Sequence, residues 1–249
     1  MVTDYRKKKI LEVRNFYKSF GNKKVHQNVS FEVFEGECLG LIGGSGSGKS
    51  VLLRSLIGLE KPDSGQVLFE SQNITHFDEL QFVPVRKKIA YAFQGGALFD
   101  SMSVYENLLY PLKAHTKMQA DQMHEKIMAQ LQKFGLESAA ALHPARISGG
   151  MQKRVGLARA MMLDPEVILY DEPTAGLDPL NTKNIQDIIL KLKATGVTSI
   201  LVTHDIPTAF AVCDRFAFLT QGQIHITDSH DLQNNPNSSI QQFLRGEVS

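Results

Sequence analysis

The chain has 249 residues, 43% of them hydrophobic, enough to bury a substantial core in one large domain or in a domain with a lobe. Its 27 Lys and Arg nearly cancel its 26 Asp and Glu, and the net charge of +1 excludes a bulk electrostatic pull toward nucleic acid or an anionic membrane. No apolar run approaches the ~18–20 residues of a bilayer-spanning helix, and the amino-terminal Lys run has no apolar region after it, unlike a secretory signal.

In chain order, Ile10–Phe16, Val29–Val33 and Cys38–Ile42 read as strands, with a turn over Phe34–Glu37 around Gly36. Cys38 and Cys213 each sit in an apolar stretch and are expected to be buried free thiols, which fits a reducing compartment. Lys49–Ile57 reads as a helix that opens directly from a Gly-rich loop and closes at Gly58. Pro62-Asp63-Ser64-Gly65 is turn chemistry leading to a strand near Val67–Phe69. The short basic clusters Arg6–Lys9 and Arg86–Lys88 are expected to be solvated surface charge, and Ile89–Phe93 is a strand ending at Gln94.

From about Ala97 to Met162 the pattern turns helical. Met123, Ile127, Leu131 and Phe134 share one face, and a helix over Gly150–Met162 has Ser148 at or near its N-cap. After Asp164-Pro165 the alternation returns: strand Val167–Tyr170, helix Asn181–Lys193, strand Ser199–Thr203, a helix near Pro207–Cys213, strand Phe216–Leu219, and a Gly222 turn into Ile224–Ile226. Strands alternating with helices predict an α/β core with a parallel sheet. The helical middle, residues 97–162, is then a lobe inserted in a single domain over 8–249.

The chemistry begins at Gly43-Gly44-Ser45-Gly46-Ser47-Gly48-Lys49-Ser50, which satisfies G-x-x-x-x-G-K-[ST] between a strand and a helix. Glycines let successive backbone N–H groups point at phosphate oxygens, and the helix start adds its positive end. Lys49 would reach the β- and γ-phosphates and Ser50 would ligate Mg²⁺. A dinucleotide fingerprint starting at Gly44 and Gly46 fails because its third glycine falls on Lys49. Asp171 and Glu172 end a four-residue apolar run, at the carboxyl end of a strand where open α/β sheets bind ligands. Asp171 would hold Mg²⁺ directly or through water, and Glu172 would polarise the attacking water. Ser148-Gly149-Gly150 at a helix start is a second anion cradle. One ATP does not need two, so this one is expected to serve an ATP bound to another copy.

Together these residues resemble the nucleotide-binding subunit of an ATP-binding-cassette (ABC) transporter over nearly the whole chain. The resemblance implies a P-loop NTPase (RecA-like) core with an antiparallel β region and an inserted α-helical lobe. It also implies ATP and Mg²⁺ as ligands, and a homodimer closing head-to-tail over two ATP molecules. By the same resemblance Phe20, with Tyr17 in reserve, stacks on adenine, and Val51 follows the phosphate loop into the site. Gln94 is the Q-loop glutamine at Mg²⁺ or water, Asp178 the D-loop aspartate at the dimer seam, and His204 the switch histidine at the γ-phosphate. Met151 stands where the commonest signature has Gln, and Gly176 where Ala is more usual.

A narrower resemblance is to the ATPases of Mla/Mce-type phospholipid transporters. It rests on Val85–Lys88, Gln94-Gly95-Gly96-Ala97-Leu98-Phe99-Asp100, Val104–Asn107, Tyr110-Pro111-Leu112 and the ending Asn235-Pro236-Asn237 … Gln242-Phe243-Leu244. It implies an integral permease, an Mce-type substrate-binding protein, in some systems a STAS-domain subunit, and a place on the cytoplasmic face of the inner membrane. Another transported substrate, such as an amino acid or lipoprotein, and a soluble ABC-type ATPase acting on nucleic acid are the rival readings. Leu98, Phe99, Met102, Val104, Leu108 and Leu109 form either a pocket for a permease helix or lobe core.

Overall fold

The structure is a computed structural model that describes residues 8–228, so Arg6, Lys7 and the Asn235–Leu244 motif lie outside the described residues. β1 (Lys9–Phe20) and β2 (Lys23–Phe34) form an antiparallel hairpin across Gly21-Asn22, with Phe20 opposite Lys23. Both run past their expected limits. The buried alternation of Leu11, Val13 and Phe16 gives way to exposed residues, while ladder pairing carries the strands on. β3 (Cys38–Ile42) has the expected bounds, and α1 (Lys49–Leu56) opens from the Gly-rich loop. β4 (Ser64–Phe69) and β5 (Gln72–Asn73) complete a four-stranded sheet of order β2-β1-β4-β5.

α2 (Glu79–Lys88) has no counterpart in the sequence reading. It buries only Phe82 and Val85 and contains Pro84, so its apolar period is faint. Its one local signal is a capping box in which Asp78 accepts from the Gln81 N–H and Gln81 accepts from the Asp78 N–H. The basic cluster in its last turn is engaged rather than merely solvated. Arg86 donates to Glu79 and to the Ile57 carbonyl, and Lys88 bridges Glu70 and Glu166.

β6 (Ile89–Ala92) leads into the lobe: α3 (Val104–His115), α4 (Ala120–Phe134) and α5 (Gly149–Ala160), the last capped by Ser148, which accepts from the Met151 N–H. The core then resumes with β7 (Val167–Asp171), α6 (Pro179–Ala194), β8 (Thr198–Val202), α7 (Ile206–Val212), β9 (Arg215–Thr220) and β10 (Gln223–Asp228). The second sheet has order β10-β9-β3-β8-β7-β6, parallel except for the β10–β9 pair.

β3 and β8 are buried along their whole length, as parallel strands covered on both faces must be. Strand alternation divides the core. Val167, Leu169, Ile200 and Val202 face α1 and the antiparallel sheet, whereas Ile168, Tyr170 and Leu201 face the other side, with α6, α7 and the lobe. The lobe face is as expected, with Ile127, Leu131 and Phe134 buried and Met123 packed beside them. Cys38 and Cys213 are both buried and free, their sulfurs 3.6 Å apart. The apolar cluster after Gln94 divides: Val104 and Leu108 are core, while Phe99 is exposed, its ring centroid 4.9 Å from that of exposed Tyr110.

One buried polar residue joins the lobe to the segment after Gln94. Asn107 Oδ1 accepts from the Phe99 N–H at 2.9 Å, and its Nδ2 donates to the carbonyls of Phe99, Met102 and Ser103 at 3.2, 3.2 and 3.0 Å. Asn107→Ala strands these groups in the interior and is expected to cost about 3 kcal/mol. Urea unfolding measures it, and an unchanged midpoint would show the hub to be dispensable.

Candidate functional site

The phosphate-loop geometry follows from two glycines. A Cβ on Gly43 would lie 2.3 Å from the Leu219 carbonyl oxygen. Gly48 has φ +102°, and a Cβ there would meet Val25 Cγ1 at 2.5 Å and His26 Nε2 at 2.8 Å. Neither site admits a larger residue. Lys49 is buried, and its Nζ donates to the Gly43 and Gly44 carbonyls, both at 2.9 Å. Burial pushes its pKa down, while the nearby Glu172 and Asp171 carboxylates push it back up.

The acidic pair ends β7. Asp171 Oδ1 accepts from the Ser50 hydroxyl at 2.8 Å, which joins the start of α1 to the strand. Glu172 holds φ +53°, uncommon for a non-glycine residue, and its N–H donates to the Val202 carbonyl at 2.9 Å. Glu172 Oε2 lies 2.6 Å from His204 Nδ1, and among the described residues this buried oxygen has no hydrogen-bond partner. Ser47 Oγ is likewise buried without one.

These groups surround an open cavity of about 750 Å³. Of the residues singled out by sequence, Phe20, Gly43, Ser45, Gly46, Gly48, Lys49, Ser50, Val51, Gln94, Glu172 and His204 line it. Gly44 and Ser47 belong to the same loop, and Asp171 stands behind Ser50. Phe20 is half-exposed at the cavity with Lys18 Nζ 4.9 Å from its ring centre; Tyr17 is exposed but does not line the cavity.

The second cradle is elsewhere. Ser148 and Gly149 are exposed at the start of α5 and do not line the cavity. Gly150 is pressed onto Asn181, whose N–H donates to the Asp178 carboxylate at the start of α6. Asn181 thus touches both the 148–150 turn and Asp178, a link the sequence did not signal. Also unforeseen are Lys23 and Val25 on the cavity wall, Tyr91, whose hydroxyl donates to Asp171 at 2.7 Å, and Lys153, which donates from α5 to the Ala175 carbonyl.

His26 lies directly under Gly48, buried, and among the described residues neither ring nitrogen has a partner in hydrogen-bond geometry. Burial lowers its pKa from 6.5 to about 4, opposed by the Gly48 backbone and reinforced to a smaller extent by the Lys18 charge. The neutral ring is therefore favoured on folding. Its stability is fully present above pH 6.5 and is lost as pH falls toward 4, by up to about 3 kcal/mol. His26→Leu is expected to remove that part of the slope, measured as the difference between wild-type and variant unfolding free energies from pH 7 to 4.

A strand–loop–helix with a buried lysine, beside a strand ending in two carboxylates, defines a P-loop nucleotide-binding ATPase. The ABC transporter family pattern matches residues 26–175. The chain is 38% identical over 239 residues to the Escherichia coli intermembrane phospholipid transport system ATP-binding protein MlaF, covering 95% of this chain and 89% of MlaF. It is 37% identical to the probable ribonucleotide transport ATP-binding protein mkl of Mycobacterium leprae, over 95% of this chain and 69% of mkl. Its fold matches a dimeric ATP-binding cassette in a post-hydrolysis state bound to ADP and Pi, with TM-score 0.82 and 30% identity over 88% of this chain and 99% of that one. The chain belongs to the ABC transporter ATPase family and is an ATP-binding subunit whose hydrolysis is coupled to transport.

Proposed function

We propose that this chain powers phospholipid transport between envelope membranes as a homodimer closing head-to-tail over two ATP molecules. One observation carries the dimer: Ser148 and Gly149 are exposed at a helix start, away from the cavity that holds Lys49, Glu172 and His204. A helix start with free N–H groups favours an anion, and the anion would be the triphosphate held by the other copy's loop. The lipid cargo is supported by the 38% identity to MlaF over most of both chains. Its working partners would be an integral permease, an Mce-type substrate-binding protein and a STAS-domain subunit, with the ATPase on the cytoplasmic face of the inner membrane.

Within one half-site, Phe20 would stack on adenine, and the loop N–H groups with Lys49 would hold the β- and γ-phosphates. Among the described residues Lys49 donates hydrogen bonds only to backbone carbonyls, which a phosphate oxygen would outcompete. The donors at Ser50, Asp171 and Gln94 are oxygen-rich and adjacent to the loop, which suits a hard cation such as Mg²⁺. These residues would hold Mg²⁺, which would supply neutralisation of the phosphate charge. Glu172 Oε2, buried and without a hydrogen bond, is free to accept a proton from the attacking water. His204, mostly exposed beside it, would meet the γ-phosphate. Asp178 would sit at the dimer seam, and Gln94 would report nucleotide state to the permease. ATP favours the closed dimer because only there are both sets of donors used.

Glu172→Gln is expected to bind ATP, to lose turnover by about 10²-fold or more, and to accumulate as a dimer under saturating Mg-ATP. Light scattering on size exclusion and phosphate release check this; a variant that stays monomeric refutes the closure. Lys49→Ala is expected to lose nucleotide binding in the same assay. Lipid analysis of the complex purified through this subunit tests the cargo, and co-purifying ribonucleotide instead of phospholipid would redirect it.

A further inference from the structure

We infer that Tyr91 is a positioning residue that clamps the Asp171 carboxylate for the divalent cation. This rests on the reading that Ser50 and Asp171 hold that cation. Both Asp171 oxygens are engaged within the chain and from opposite sides. Oδ1 accepts from Ser50 of α1 at 2.8 Å, and Oδ2 accepts from the Tyr91 hydroxyl of β6 at 2.7 Å. A carboxylate with one such bond can still swing about its Cβ–Cγ bond; with two it cannot.

Sheet register explains how the tyrosine reaches. Tyr91 stands opposite Leu169 in the parallel β6–β7 pair, so it shares a face with Leu169 and, two residues on, with Asp171. A leucine there would stop at its neighbour, whereas the phenol carries its oxygen further, to the strand's end. The ring is braced by Phe93, with centroids 4.4 Å apart, and packs against the cluster that includes α1. With Oδ2 taken by the phenol, Oδ1 is left beside the Ser50 hydroxyl, and Ser50 lines the cavity. Partners of this kind fix ligand orientation, and losing one typically costs 10–100-fold in metal affinity or activity.

The competing explanation is packing alone, and one oxygen atom separates the two. Tyr91→Phe keeps the ring and its volume. Binding of a fluorescent ATP analogue to the full chain is measured in EDTA and across a Mg²⁺ titration. Tyr91→Phe is expected to bind the analogue in EDTA within about twofold of wild type, while the Mg²⁺ concentration at half-effect rises about 10-fold. Tyr91→Leu is expected to show at least the same Mg²⁺ shift. If Tyr91→Phe matches wild type in Mg²⁺ dependence, the clamp is overturned and the residue serves packing only. Asp171→Asn separates the two failures. If it moves the Mg²⁺ midpoint and Tyr91→Phe does not, only the tyrosine's role is lost; if neither moves it, the cation reading of this pair is lost as well.

Discussion

The parallel register of β3, β8 and β7 is the constraint on which the site depends. Leu41 stands opposite Val202, and Val202 opposite Asp171, so the three strands end level. The residues that follow them, Gly43, His204 and Glu172, therefore meet along one edge although they lie far apart in sequence. The strands are buried on both faces, and a one-residue slip would exchange those faces. It would also move Glu172 off the Val202 carbonyl that its N–H now meets. The geometry of this edge is a by-product of core packing.

Given that edge, the sequence places polar groups whose needs the chain does not meet by itself. Among the described residues Glu172 Oε2 and Ser47 Oγ have no hydrogen-bond partner, although Oε2 stands 2.6 Å from His204 Nδ1, and Lys49 donates to two backbone carbonyls. Each unpaired buried polar atom costs about 1–3 kcal/mol. Both atoms belong to the loop and the strand end that flank Lys49, and Glu172 there also holds a positive φ.

The parts legible in the sequence are those whose signal is local. β3, the Gly-rich loop and α1 were readable because an apolar run, φ-permissive glycines and a helix start fall in unbroken succession. The Ile127–Leu131–Phe134 face was readable by its spacing. The β1–β2 hairpin past Phe16 was not, because its distal half is held by ladder pairing rather than burial. α2 carries no such signal, since Pro84 and a thin buried face hide its period. Asn107, Tyr91 and Asn181 act through partners that only the fold brings near, and as single polar residues in ordinary contexts they carry no mark of it. In sequence Tyr91 is one strand residue among others, because what distinguishes it is a neighbour 80 positions away.

α5 joins the two ends of the proposed machinery. Ser148 caps its start, and near its other end, about 16 Å away by helical rise, Arg159 donates to the Gly96 and Ala97 carbonyls at 3.0 and 2.8 Å. Contact there is close: a Cβ on Gly156 would lie 2.7 Å from Gly96 Cα. Arg159 also reaches Asn107, which binds the same segment from the α3 side. The stretch just after Gln94 is therefore gripped by the helix whose opposite end is the exposed cradle. A rigid displacement of α5 cannot leave residues 96 and 97 in place without breaking those bonds. Whatever binds at Ser148 and whatever touches the segment after Gln94 are thus mechanically joined through one helix, without passing through the phosphate loop.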